Sequence, residues 1–204
     1  RLRARADGRM LLALNALPRY AYRTYSVPVA GQFLDYLDNI AQFSNCLPEQ
    51  LRRLLLVRCH PRNWGWHDEA RLRRLAPDVE LYRGPIRLET QLADSRLFIA
   101  THNATTFLET LAANYPTVIF WDERYYELNS AAKPYFDVLK SAGIFHTNAV
   151  EAAAHVSRIA ESPRTWWSRR ETQTSRKNFT DCYARSTAHW KANWVTLLRE
   201  ECSR

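Results

Sequence analysis

Short apolar runs alternate along this 204-residue chain with longer stretches whose apolar residues recur every three or four positions. The first run, "MLLALNAL" (10–17), reads as a buried strand; 31–47 follows as a helix, with Phe33, Leu34, Leu37, Ile40, Ala41 and Phe43 at helical spacing. "LLLVRCHP" (54–61) is the next strand, stopped by Pro61, and a helix over 68–75 leads to the strand "VELYRG" (79–84). A short helix at 86–93 precedes "RLFIATHN" (96–103). The helix "TTFLETLAANY" (105–115) then feeds "PTVIFW" (116–121), whose β-branched and aromatic residues suit a central strand opened by proline. A helix over 130–142 is halted by Gly143, "IFH" (144–146) is a short last strand, and 150–160 is a helix with Ala152, Ala153, Val156, Ile159 and Ala160 on one face. Helices over 166–183 and 190–198 complete the pattern, with Trp166, Trp167, Trp190 and Trp194 expected to pack them down.

Strands separated by helices, with few tight hairpin signals, predict an α/β fold: a Rossmann-like parallel sheet with helices on both faces and a C-terminal helical extension. Residues 1–162 form the Rossmann-like unit and 163–204 the helices packing on it, one domain overall. Ligands of such sheets sit beyond the carboxyl ends of the strands. Three polar segments, "LPRYAYRTY", "CHPRNW" and "THNATT", fall there and would share one rim.

Composition narrows the setting. The chain starts at Arg1 and reads as part of a longer polypeptide, with no signal-like segment at that end and no stretch near the roughly 20 apolar residues that span a bilayer. Four cysteines show no CxxC pairing and no metal-like spacing with the six histidines, which points to a reducing cytoplasm. The charge of +8, from 29 basic against 21 acidic residues, suits anionic partners. The arginines are scattered, and no nucleic-acid-binding motif is present, so nucleic acid is not an expected partner.

The stretch "THNATTFLE" supports two readings. Thr106 and Glu109 have the spacing of a capping box, in which Thr106 caps the helix and Glu109 returns to its backbone. Yet a cap needs one hydroxyl, and this loop offers Thr101, His102, Asn103, Thr105 and Thr106 at a helix start, the place where free N–H groups bind phosphate. No GxGxxG or Walker pattern accompanies it. Across the rim, His60 could donate to a phosphate or leaving-group oxygen and Arg58 or Arg62 could supply bidentate charge. Arg19, Tyr20, Tyr22, Arg23 and Tyr25 could meet a base or sugar. Asp122, Glu123 and Glu127 could bind sugar hydroxyls or act as a base.

"THNATTFLETLAANYPTVIFW" (101–121) followed by "ELNSAAKPYFDVLKSAGIFH" (127–146) resembles the transferases of bacterial O-antigen and surface-carbohydrate synthesis, which have the two-Rossmann-domain glycosyltransferase B fold. The similarity covers nearly the whole chain and is densest from Ile99 to His146. It implies the C-terminal, donor-binding half of an enzyme that moves a sugar from a nucleotide-sugar to a lipopolysaccharide, O-antigen or capsule acceptor, with the acceptor pocket and base in a separate N-terminal domain. His60-Pro61 is also similar to the HP motif of transferases using CMP-linked sialic acid or Kdo, where the histidine meets the nucleotide phosphate. The expected donor and phosphate contacts are therefore Arg58, His60, Arg62, Thr101, Asn103, Thr105, Thr106 and Glu109, with His60 catalytic. Arg19, Tyr20, Asp122 and Glu123 are candidate nucleotide or sugar contacts. No metal or other cofactor is required on this reading. A basic surface fits a cytoplasmic protein at the inner face of an anionic plasma membrane carrying a lipid-linked acceptor. The alternative function is a non-catalytic nucleotide-binding or scaffolding domain.

Overall fold

The computed structural model describes residues 2–20, 27–185, 187 and 189–202. Among them six strands form one wholly parallel sheet: β1 (Arg9–Ala13), β2 (Leu55–Arg58), β3 (Glu80–Tyr82), β4 (Ser95–Ala100), β5 (Thr117–Phe120) and β6 (Phe145–His146), in the spatial order β3-β2-β1-β4-β5-β6. The chain walks outward from β1 to β3, then jumps back to β4 on the other side of β1 and continues to β6. Met10 to Leu12 and Leu97 to Ile99 are fully buried, as strands with both faces covered require.

The helices follow from their apolar spacing. In α1 (Gln32–Cys46), Phe33, Tyr36, Leu37, Ile40, Ala41 and Phe43 are buried. A short α2 (Glu49–Arg52), absent from the sequence reading, starts after Pro48 and buries nothing, so it leaves no periodic signal. α3 (Asp68–Leu75) and α4 (Leu88–Ala93) flank β3, and α5 (Thr105–Ala112) follows β4. α6 (Lys133–Ser141) begins with Pro134 in its first turn, and α7 (Ala149–Ile159) is capped by Asn148, whose Oδ1 accepts from Glu151 N–H at 2.8 Å. Gly143, at φ +73° after α6, has no substitute: a Cβ there would stand 2.5 Å from Cε1 of His155.

Two expectations at the C-terminal end need correction. The single helix expected over 166–183 is two, α8 (Pro163–Trp167) and α9 (Arg170–Tyr183), because Arg169 is extended at ψ 141°. Trp166 and Trp167 pack as expected, their indole N–H groups donating to Ala142 O and to Asn114. Trp190 and Trp194, however, lie exposed on α10 (Trp190–Cys202), which buries no residue. Phe179 of α9 already fills the space against Phe107 and Phe136, with ring centroids 6.2 and 5.1 Å away.

Candidate active site

Beyond the carboxyl ends of β1, β2 and β4, where the strand order reverses, lies a cleft of about 410 Å³. Its polar lining is Asn15, Arg58, His60, His102 and Thr106, beside Cys59, Pro61 and Leu88, and no carboxylate lines it. The floor is pinned by a directed chain of hydrogen bonds. The Thr101 hydroxyl has one proton and gives it to the Ala13 carbonyl (2.8 Å), so Tyr36 must donate to Thr101 (2.6 Å) and accept from Asn15 N–H (2.7 Å). Asn15 Nδ2 donates to Tyr126 OH at 3.0 Å, which ties the segment after β5 to the same floor. Thr101 is thus buried and spent inside the fold. The same bonds turn the chain away from the sheet, so the strand expected over 10–17 ends at Ala13.

The loop after β2 is braced from below. Arg83 pairs with Asp68 at 2.7 Å and Glu69 at 3.2 Å and donates to the His60 carbonyl. His60 Nδ1 accepts from Arg62 N–H at 3.1 Å, which assigns the ring proton of the neutral imidazole to Nε2. Arg58 is held by Nη1, which donates to Ile86 O at 2.8 Å and to Gln91 Oε1, with its Cζ 5.8 Å from the Tyr82 ring centroid. Cys59, between Arg58 and His60, is buried, and desolvation pushes its thiol up to about 12, too high for a nucleophile at neutral pH.

The opening of α5 overturns the capping box. Ala104 is the N-cap, Thr105 and Thr106 already lie within the helix, and no side chain caps it. Thr106 faces the cleft. Thr105 and Glu109 instead line a separate groove of about 540 Å³ with Leu108, Ala112, Ala113, Ala184 and Arg185, on the outer side of the helix. The helix winds the two threonines apart, so "THNATT" contributes His102 and Thr106 to the cleft, while Asn103 is exposed at the turn. Burial holds His102 neutral, its pKa pushed down to about 4.

The remaining candidates lie around this centre. Arg62 is exposed and lines the neighbouring recess with His60 and Trp64. Arg19 donates to Gly65 O at 3.2 Å and stands over Trp66, so it stitches the β1 loop to the β2 loop, and Tyr20 is exposed. Tyr22, Arg23 and Tyr25 lie outside the described residues. Asp122 is clamped by Arg124 (2.6 Å), whose hydrogen bonds hold the carboxyl below its usual range. Glu123 and Glu127 line a third pocket with Tyr126 and Lys133, apart from the cleft. Among the described residues no group of three or more His, Cys, Asp or Glu is placed to hold a metal ion, and no helix is long and apolar enough to cross a membrane.

The sequence profile of the LIC12162 family transferases matches residues 1–198. The chain belongs to that family. No curated protein matches it. For a LIC12162 family transferase the cleft is the natural place to seek the transfer chemistry, being the one polar recess among those described that stands at the sheet's reversal point. Sequence reasoning underrated three of the residues that build it. Asn15 sat inside a run read as strand, though an amide in so apolar a segment was itself a signal. Tyr36 and Tyr126 drew no assignment, and nothing in their spacing tells that their hydroxyls carry the floor of the site.

Proposed function

We propose that this chain is the donor-binding half of a glycosyltransferase that moves a sugar from a nucleotide-sugar to an O-antigen, lipopolysaccharide or capsule acceptor. The observation that carries the reading is the cleft at the strand reversal, into which Thr106 projects from an α5 start with no side-chain cap. Unpaired N–H groups at a helix start favour a phosphate. Membership of a transferase family and the resemblance around Ile99 to His146 support the class of reaction.

On this reading residues 1–162 bind the nucleotide-sugar. The bond between the anomeric carbon and the phosphate oxygen breaks with its electron pair going to the phosphate. The N–H groups of α5 and the His60 Nε2–H stabilise that charge in a cleft without a carboxylate, and Arg62 adds positive charge from the neighbouring recess. The acceptor hydroxyl attacks the same carbon, and its proton passes to a base on a second, acceptor-binding domain. No metal is needed for this route. The His60-Pro61 pair favours a CMP-linked donor, and the charge of +8 favours work at the inner face of an anionic plasma membrane, where a lipid-linked or polysaccharide acceptor waits.

A calorimetric and thermal-shift panel of UDP, GDP, TDP and CMP, with the matching nucleotide-sugars, tests this. Binding of one nucleotide class is expected, with His60→Ala weakening it about tenfold or more, the loss of one hydrogen bond to a charged group. No binding by any member would return the cleft to the alternative, a non-catalytic scaffold.

A further inference from the structure

We propose that Arg58 is a pre-set bidentate receptor for a second anionic group of the donor, distinct from the phosphate at the α5 start. The inference rests on the nucleotide-sugar reading above and deepens it: the substrate class is a donor with two acidic groups.

The argument starts from how this guanidinium is used. Its Nη1 donates to Ile86 O and to the Oε1 of buried Gln91, and the Tyr82 ring lies against its Cζ, so the side chain is held from three sides. The Nε and Nη2 hydrogens, which together make the two-pronged edge that matches a carboxylate or phosphate, have no hydrogen-bond partner among the described residues. Part-buried Arg52 also has an unpartnered Nε, but its Nη1 faces Asp78 at 3.5 Å and it does not line the cleft, and two further part-buried arginines are used differently. Arg83 spends its edges on Asp68, Glu69 and His60 O. Arg96 uses Nε on Gly8 O and Nη1 on Ala160 O. Arg58, unlike Arg83 and Arg96, keeps its Nε edge free, and it does so in a cleft lined by no acid. The carboxylate of Glu89 on α4 is near enough to feel the Arg58 charge but does not line the cleft, so a half-buried cation fixed in place with its best edge open to that cleft is suited to an anion.

The cleft also has its own reason to hold two anions. Arg58 ends β2, while Thr106 and the α5 N–H groups follow β4, with β1 between them. The two receptive elements therefore stand on opposite walls. The second anion is either the β-phosphate of a nucleoside diphosphate or the carboxylate of an acidic sugar on a nucleoside monophosphate.

Calorimetry on the folded chain separates the two sources. The probes are UMP, CMP, UDP, GDP, inorganic pyrophosphate and a CMP-linked sugar acid, against wild type, Arg58→Lys and Arg58→Gln. Thermal melts confirm that each variant is folded, and Lys can keep the bond to Ile86 O. If the second group is a β-phosphate, both variants weaken UDP or GDP about tenfold or more while the monophosphate is unchanged. If it is a sugar carboxylate, the loss appears with the CMP-linked acid and not with CMP. Lys failing like Gln shows that the fork, not the charge, is what binds. Equal weakening of every probe, or none, overturns the proposal. Should wild type bind no nucleotide, the glycosyltransferase reading fails by itself; pyrophosphate binding lost in Arg58→Lys would then still support the receptor, and pyrophosphate binding that is absent or unchanged would overturn it too.

Discussion

Thr101→Val asks whether the floor of the cleft is held as the hydrogen bonds imply. Valine matches threonine in volume, so the change opens no cavity and deletes only the hydroxyl. Two bonds go with it: the donation to Ala13 O at 2.8 Å and the acceptance from Tyr36 at 2.6 Å. Thr101 and Tyr36 are both buried, so water cannot replace what is lost. Stranding the Tyr36 proton costs about 1–3 kcal/mol and the second bond about 1 kcal/mol more, which sums to roughly 2–4 kcal/mol. For a chain of this length that is a fall in melting temperature of about 5–15 °C. Urea unfolding followed by tryptophan fluorescence measures it. Tyr36→Phe should also destabilise, because it strands the Asn15 N–H, and the double variant should cost less than the sum of the singles by about 1 kcal/mol. A Thr101→Val protein within about 0.5 kcal/mol of wild type, or strictly additive singles, would refute the relay.

Three further outcomes are expected. Asn148→Ala should cost about 1 kcal/mol in urea unfolding because it removes a real cap, whereas Thr106→Ala should stay within about 0.5 kcal/mol because no capping bond is there to lose. Gly143→Ala should cost on the order of 2 kcal/mol by the same assay, from its φ of +73° together with the push on His155. His155, facing His146, Trp166, Arg158 and Gly143, is pushed down to about 4 by burial, and His146 is lowered as well. The unfolded chain takes up protons near pH ~6.5 that the folded chain refuses, so stability is full above that value and falls as pH drops toward 4; His155→Gln should flatten the difference between pH 7 and pH 5.

The helix over 68–75 and the six strands were legible because buried parallel strands are nearly continuous apolar runs and their covering helices repeat every 3.6 residues. The parallel sense of the sheet followed from the helical connections, whereas the strand order β3-β2-β1-β4-β5-β6 was not legible, because it depends on which strands meet in space. Legibility failed where partners are distant in sequence. The capping-box spacing of Thr106 and Glu109 is a local pattern, but the turn through Asn103 and Ala104 starts the helix two residues earlier than that pattern supposes. The packing expected of Trp190 and Trp194 rested on residue type alone, and α10, which carries them, buries no residue. Of the site, His60 and Thr106 could be placed on the rim from strand ends; Asn15 could not, because its role depends on a tyrosine 21 residues away and another 111 away.

The burial of Cys59 turns the chemistry of thiols into a clock. Cys46, Cys182 and Cys202 are exposed, so an alkylating reagent at mild pH tags those three on contact. Cys59, buried at the end of β2 beside the cleft with its proton held, reacts only in molecules whose β2 end has opened. The appearance of a fourth tag by mass spectrometry therefore reports how often that strand end opens, and its slowing with a bound ligand would register occupancy without any measurement of turnover.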